Sequence, residues 1–328
     1  MSKSHILDDV INSIANHRGI KDEYKITILR DLARLKDSQV NVLITGSVGS
    51  GKSSTINALF DADKAKVGVG VDPETMDIKK FELDNIILWD TPGLGDGKEA
   101  DLRHSESITK KLFEKDSEGN LLIDLVLVIL DGGSRDLGTS FEVINNVIIP
   151  GLDEDYKRLL VAINQADMAM KGRHWDYENN EPKPELVKFL NEKVESTRKR
   201  IYEATGVNIE PIYYSAGYKD GDDEQKPYNL SKLLAFILRH TKKEKRIVFA
   251  QDINKQKAMW EKDDRLENYQ QEIKQSFIDS IVETASKGAD IGGDIGRAIA
   301  GDLGEKVGKA VGTVIGGVVG GIKSLLGF

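Results

Sequence analysis

Short, nearly continuous apolar runs alternate along this chain with longer stretches whose apolar residues recur every three or four positions. A strand buried on both faces reads as the first pattern, and a helix lying over a sheet reads as the second. Six runs predict strands: Val40–Thr45, Asp77–Leu83, Ile86–Asp90, Leu121–Leu130, Leu159–Asn164 and Ile209–Ser215. Helical spacing falls between them, over Ser53–Phe60, Leu102–Lys115, Ser140–Ile148, Pro184–Ala204 and Leu230–His240. This rhythm predicts an α/β fold with a six-stranded, mostly parallel sheet flanked by helices. The run from Leu121 to Leu130 is apolar almost throughout and reads as the central strand. It is far shorter than the about 20 residues that span a bilayer.

Both ends add helical pattern. Ile6, Leu7, Val10, Ile11 and Ile14, then Ile28, Leu29, Leu32 and Leu35, predict two helices broken near Gly19. Past His240 the chain becomes charged, with Leu266, Ile273, Phe277 and Ile281 as an apolar stripe on an expected helix. From Gly288 onward glycine recurs every fourth residue up to Gly320, with Ala300 filling the one gap. An aliphatic residue precedes each of them from Ile291 on. Glycine costs a helix about 1 kcal/mol against alanine, so this register needs a compensating contact. Spacing of four follows the ridge along which two helices approach closely. The uncharged part, Ala310 to Ile322, would measure roughly 20 Å as a helix, short of a bilayer core of about 30 Å. Lys309 and Lys323 can snorkel at its ends. Three uses stay open: membrane engagement, self-association, and a glycine-rich hairpin folded onto its own domain. The expected division is an N-terminal helical segment (1–37), a nucleotide-binding domain (38–240), a charged helical segment (241–287) and the glycine-repeat tail (288–328).

Composition narrows the classes. The chain has 328 residues, 46 basic and 54 acidic, for a net charge of −8. DNA binding through a basic surface is therefore not indicated. No cysteine is present, which removes disulfides, thiolate zinc sites and cysteine nucleophiles. His5, His17, His104, His174 and His240 are scattered and suggest no metal cluster. The first residues lack the apolar core of a signal peptide, so the cytoplasm is the expected location, with membrane contact through the tail as an addition.

The chemistry begins at Gly46-Ser47-Val48-Gly49-Ser50-Gly51-Lys52-Ser53, which reads G-x-x-x-x-G-K-S between a predicted strand and a predicted helix. Glycines let successive backbone N–H groups line one concavity at a helix N-terminus, where an anion can sit. Lys52 reaches the β/γ-phosphates, Ser53 can ligate Mg²⁺, and Ser54 is a further candidate for nucleotide contact. Asp90-Thr91-Pro92-Gly93 ends an apolar strand as D-x-x-G. Asp90 can hold the Mg²⁺ shell and the Gly93 N–H can meet the γ-phosphate. Thr75 is the single threonine between the first helix and Asp90, and the expected switch residue that ligates Mg²⁺. Asn164-Gln165-Ala166-Asp167 follows another strand, and the Asp167 carboxylate can accept two N–H bonds from guanine. Ser215-Ala216 follows the last strand, where the Ala216 N–H can face the guanine oxygen.

With these elements in order, residues 40–240 resemble the small-GTPase-like domains of the translation-factor class. They look closest to the Era-like group and to related bacterial prophage-type and immunity-related GTPases. The resemblance implies GTP and GDP, Mg²⁺, a switch cycle, and the roles just given to Lys52, Thr75 and Gly93 in catalysis. It does not reach the tail.

Three departures matter. Gln165 stands where the family's N-K-x-D element has the lysine whose stem stacks on the base. Leu94 follows Gly93 where many relatives place the glutamine that orients water, and Gly49 stands where K⁺-dependent members carry asparagine. Slow intrinsic hydrolysis is therefore expected, accelerated by a homodimer through the nucleotide-binding domain or by another partner, with Arg103 and His104 as candidates to act across a dimer. The expected function is a GTPase whose nucleotide state switches a membrane- or self-associating tail. Alternatives are a GTP-binding scaffold that does not hydrolyse and a nucleotide-gated, membrane-active effector.

Overall fold

The computed structural model describes residues 6–16, 22–60, 66–68, 78–92, 98–220 and 223–289. The glycine repeat beyond Ala289, and the expected switch residues Thr75, Gly93 and Leu94, lie outside the described residues. In chain order the first elements are α1 (Ile6–Asn16), α2 (Asp22–Lys36), β1 (Val40–Gly46), α3 (Lys52–Phe60), β2 (Lys66–Gly68), β3 (Lys79–Glu82), β4 (Ile86–Asp90), α4 (Lys98–Phe113) and β5 (Leu125–Asp131). Then come α5 (Gly138–Val143), a wider π-turn at Ile144–Ile148, α6 (Ile149–Gly151), β6 (Leu159–Asn164), β7 (Trp175–Asp176), β8 (Glu181–Pro182) and α7 (Pro184–Thr205). The chain continues through β9 (Ile212–Tyr213), β10 (Tyr218–Asp220), β11 (Asp223–Gln225), α8 (Leu230–Arg239), α9 (Phe249–Asp252) and α10 (Tyr269–Ala289).

The main sheet has the order β2-β3-β4-β1-β5-β6-β9. All six expected strands take part, and the short edge strand β2 adds a seventh. Pairing is parallel from β4 through β9 and antiparallel at β2-β3 and β3-β4. Alternation along β5 divides the core: Leu125, Leu127 and Ile129 join one buried cluster, while Val126, Val128 and Leu130 join the other. Period-two geometry sends successive side chains to opposite faces, so a strand apolar throughout must be covered twice. The first layer takes in residues of α2, α3, α8 and α10, and the second residues of α4, α5 and α7.

Three expected strands are shorter than their runs, and of Asp77–Leu83 only Lys79–Glu82 is strand. Residues 121–124 pair elsewhere: Leu121 bridges Lys115, and the Leu122 N–H goes to the Glu114 carbonyl. Asp124 then turns the chain, taking the Asn41 N–H at 3.0 Å and the Lys245 ammonium at 2.8 Å. Of Ile209–Ser215 only Ile212 and Tyr213 join the ladder, just after Pro211, which has no N–H to give.

The segment after His240 is helical only in part. It runs through 3₁₀ turns at Lys243–Val248 and Lys257–Trp260 before α10 begins. Ile247, Val248 and Phe249 are buried in succession, which a one-sided helical stripe does not allow. Ile273, Phe277 and Ile281 do form the buried stripe of α10, but Leu266 precedes that helix and is 73% exposed. Asp252 fastens this segment to the sheet by accepting the backbone N–H groups of Asp84, Asn85 and Ile86 at 3.1, 2.7 and 2.8 Å.

Candidate functional site

β1 ends at Gly46 and α3 starts at Lys52, so Gly46 through Gly51 form the loop at the carboxyl end of the central strands. In open α/β sheets that edge is where ligands sit. Gly51 has φ +83, and a Cβ there would lie 2.2 Å from the Asn164 amide nitrogen. Only glycine tolerates that combination. Ser47 is half-buried, Val48 and Gly49 are exposed, and the Ser50 side chain is fully buried with its hydroxyl unpartnered. The Lys52 ammonium donates to the carbonyls of Gly46 (3.0 Å) and Ser47 (3.3 Å), lying back along the loop. Ser53 and Ser54 are exposed on the first turn of α3.

The parallel register sets Asp90 beside Ile44, two residues before Gly46. One Asp90 carboxylate oxygen is buried without a partner. Burial pushes this carboxyl up from its ordinary range, against the pull of the Lys52 and Lys79 charges. A buried, unpartnered carboxylate oxygen within the field of the Lys52 charge suits a hard divalent cation.

The other edge of the site comes from the ends of β6 and β9. The Asn164 side chain spans it, donating to the Ser50 carbonyl at 2.9 Å and accepting the Ala216 N–H at 2.9 Å. That N–H, expected to face a guanine oxygen, is thus already taken by Asn164. Gln165 adopts a left-handed backbone, φ 58, and its amide donates to the Gly49 carbonyl at 2.7 Å. Asp167 is buried and accepts the Ser215 hydroxyl at 2.6 Å. A cavity of about 440 Å³ opens here, lined by Gly51 and Ser54 on one side and by Asn164, Gln165, Asp167, Ser215 and Ala216 on the other.

Elements far apart in sequence are therefore gathered at one sheet edge. Residues the motifs did not single out also line the cavity, among them Asp131, Gly133 and Met168. The glycine pair directly after the central strand was the available signal. Gly132 donates its N–H to the Asn164 carbonyl at 2.7 Å, and a Cβ on it would lie 2.3 Å from that oxygen. Of the two residues considered for action across a dimer, Arg103 is exposed, whereas His104 is buried with its Nδ1 unpartnered.

A strand–loop–helix phosphate cradle, an aspartate on the neighbouring parallel strand and an Asn-x-x-Asp turn two strands away define a P-loop GTPase domain. Residues 41–165 match the family model described as 50S ribosome-binding GTPase. Over 70 residues it is 40% identical to interferon-inducible GTPase 1 of Mus musculus, covering 20% of this chain and 17% of the relative. Over 116 residues it is 30% identical to the tRNA modification GTPase MnmE of Mycoplasmopsis pulmonis, covering 33% of this chain and 24% of the relative. The chain thus spans less than a quarter of either relative. Among solved structures, Toc33 from Arabidopsis thaliana with Mg²⁺ and GMPPNP aligns at TM-score 0.39 and 15% identity, over 66% of this chain and 85% of that one. The LeoA bacterial dynamin GTPase from ETEC aligns at TM-score 0.40 and 12% identity, over 86% and 45%.

Proposed function

We propose that this protein binds GTP and GDP with Mg²⁺, hydrolyses GTP slowly, and uses its nucleotide state to direct the glycine-repeat tail. The observation that carries this reading is the 440 Å³ cavity in which the phosphate loop faces Asp167, Ser215 and Ala216. A buried carboxylate there accepts two N–H bonds from guanine, whereas adenine leaves it unpaired, which is strong discrimination. Asp90, Ser53 and Thr75 would hold the cation, whose contribution when bound is to neutralise charge on the β- and γ-phosphates. Lys52 turns from the Gly46 and Ser47 carbonyls to the phosphates, and the Gly93 N–H meets the γ-phosphate. Asn164 and Gln165 hold the loop against the base-reading turn.

The test is nucleotide titration of wild type and Asp167→Asn. Wild type should take GTP and GDP over ATP, and the variant should lose GTP and gain xanthosine triphosphate, because the hydrogen-bond polarity at that position is exchanged. Indifference of wild type to GTP and GDP would end this reading.

With Leu94 after Gly93 and Gly49 in the loop, unassisted turnover should be on the order of 10⁻⁴ s⁻¹. A homodimer through the G domain, with Arg103 exposed at the start of α4, would raise it, so specific activity should climb with protein concentration. No helix among the described residues is long and apolar enough to cross a membrane. For the tail, flotation with liposomes in GDP and in a GTP analogue, with and without residues 288–328, separates membrane engagement from self-association. Equal behaviour in all four samples would remove the tail from the account.

A further inference from the structure

A second cavity, about 540 Å³, opens between the loop after β5, the turn at 170–173 and α7. It shares only Gly133 with the cavity at the phosphate loop. Its volume lies within the roughly 300–1,000 Å³ of small-molecule sites.

Charge is concentrated there against the trend of the chain. Arg135, Lys171, Arg173 and Arg200 line it, all four exposed and none paired with a carboxylate among the described residues, while Glu192 is its one acidic lining residue. Other cations of this protein do find carboxylates, as Lys232 does with Asp264 and Arg198 with Glu195. In a chain of net charge −8, four unpaired cations around one concavity repel one another unless an anion joins them. Guanidinium forks match phosphate oxygens two at a time.

The walls are also preformed. Lys193 does not add to the open charge: its ammonium donates to the carbonyls of Asp131, Gly132 and Ser134 at 3.3, 2.7 and 2.7 Å, fixing the loop above the cavity. Met170, Lys171 and Gly172 are all left-handed, at φ 54, 62 and 71, and this turn carries Lys171 and Arg173 at the cavity wall. Phe141 and Phe189 give the lining flat apolar surface, and the Arg200 guanidinium sits 5.4 Å from the Phe141 ring centre.

We propose that this cavity is a second ligand site, for a phosphorylated small molecule with a flat apolar body. Arg135, Lys171, Arg173 and Arg200 hold the phosphate, and the flat part lies against Phe141 and Phe189. The site stands independently of the guanine reading.

The probe is pyranine, a flat trisulfonated pyrene, titrated by fluorescence anisotropy against full-length protein loaded with GDP. Loading is followed separately with a fluorescent GDP analogue, so failure at the first site is seen as such, and nucleotide-free protein then serves instead. One saturable site per chain is expected, displaced by AMP at concentrations where inorganic phosphate does little. Arg173→Glu and Arg200→Glu should each weaken binding about tenfold or more, and Ser196→Trp, which fills the cavity without changing charge, should abolish it. Lys199→Glu, the same charge change on α7 outside the lining, should stay within about twofold. Circular dichroism establishes that each variant is folded. The proposal is overturned by the absence of saturable binding, by equal loss in Lys199→Glu, by intact binding in Ser196→Trp, or by phosphate competing as well as AMP.

Discussion

The side-chain amide of Gln165 donates to the backbone carbonyl of Gly49 at 2.7 Å, fastening the Asn164–Asp167 turn to the loop between β1 and α3. A glutamine that makes this bond replaces the tethering a lysine ammonium would give. It does not supply the long apolar stem that a lysine at this position would lay along a bound base.

Substitutions at this position should separate the two roles. Gln165→Lys keeps a donor and adds the stem, and should tighten GDP several-fold, about 1 kcal/mol. Gln165→Ala loses the tether and should weaken GDP by a similar amount. Stopped-flow dissociation of a fluorescent GDP analogue measures both, and a Gln165→Lys variant weaker than wild type would contradict the argument.

Asp90 should trade stability for binding. Its carboxyl is pushed up by burial, so ionising it costs the fold. In nucleotide-free protein its contribution is greatest below the unfolded value and is lost as pH rises through the raised folded one. Asp90→Asn should therefore be the more stable protein at neutral pH, with the gap closing as pH falls towards 4. The same variant should lose about tenfold or more in Mg²⁺-dependent nucleotide affinity. Thermal melts across pH and nucleotide titrations with and without Mg²⁺ read the two effects.

The loop glycines should not be equivalent. A Cβ at Gly51 meets the Asn164 amide at 2.2 Å, whereas one at Gly49 meets nothing within 4 Å, although both residues are left-handed (φ +83 and +78). Gly49→Ala should cost only backbone strain, about 1 kcal/mol. Gly51→Ala should also displace Asn164 from Ser50 and Ala216, and reduce nucleotide affinity by on the order of 100-fold. Melting temperature and GDP affinity of the pair decide this.

Asp252 should matter for stability without touching nucleotide. Asp252→Ala strands three backbone N–H groups, of which those of Asn85 and Ile86 are the closer bonded, and should destabilise the fold by about 2–3 kcal/mol. Asp252→Asn keeps an acceptor and should lose less. Urea unfolding monitored by tryptophan fluorescence gives both values.

Strands β4 and β6 were legible to the residue because apolar runs there coincide with ladders: Ile86–Asp90 and Leu159–Asn164. Hydrophobicity did not distinguish Leu121–Ile123, which are as apolar as the strand they precede, because what removes them is hydrogen bonding through Glu114 and Asp124. The short ribbons β7-β8 and β10-β11 carry little apolar pattern and rest on turns. At the site, glycine spacing and terminal aspartates reveal which residues meet. The bond of Gln165 to Gly49 and the capture of the Ala216 N–H by Asn164 depend on how loops close in space, which spacing along a chain does not encode.

Finally, α2 packs against α10, two parts of one apolar layer that lie far apart in the chain. A ribosome releases Leu32 and the whole phosphate loop long before Phe277 exists. Until α10 is made, the groove that Ile273, Phe277 and Ile281 will fill stays bare, and a contact of such long sequence separation forms slowly. This layer therefore closes only once α10 has left the ribosome, more than 230 residues after α2.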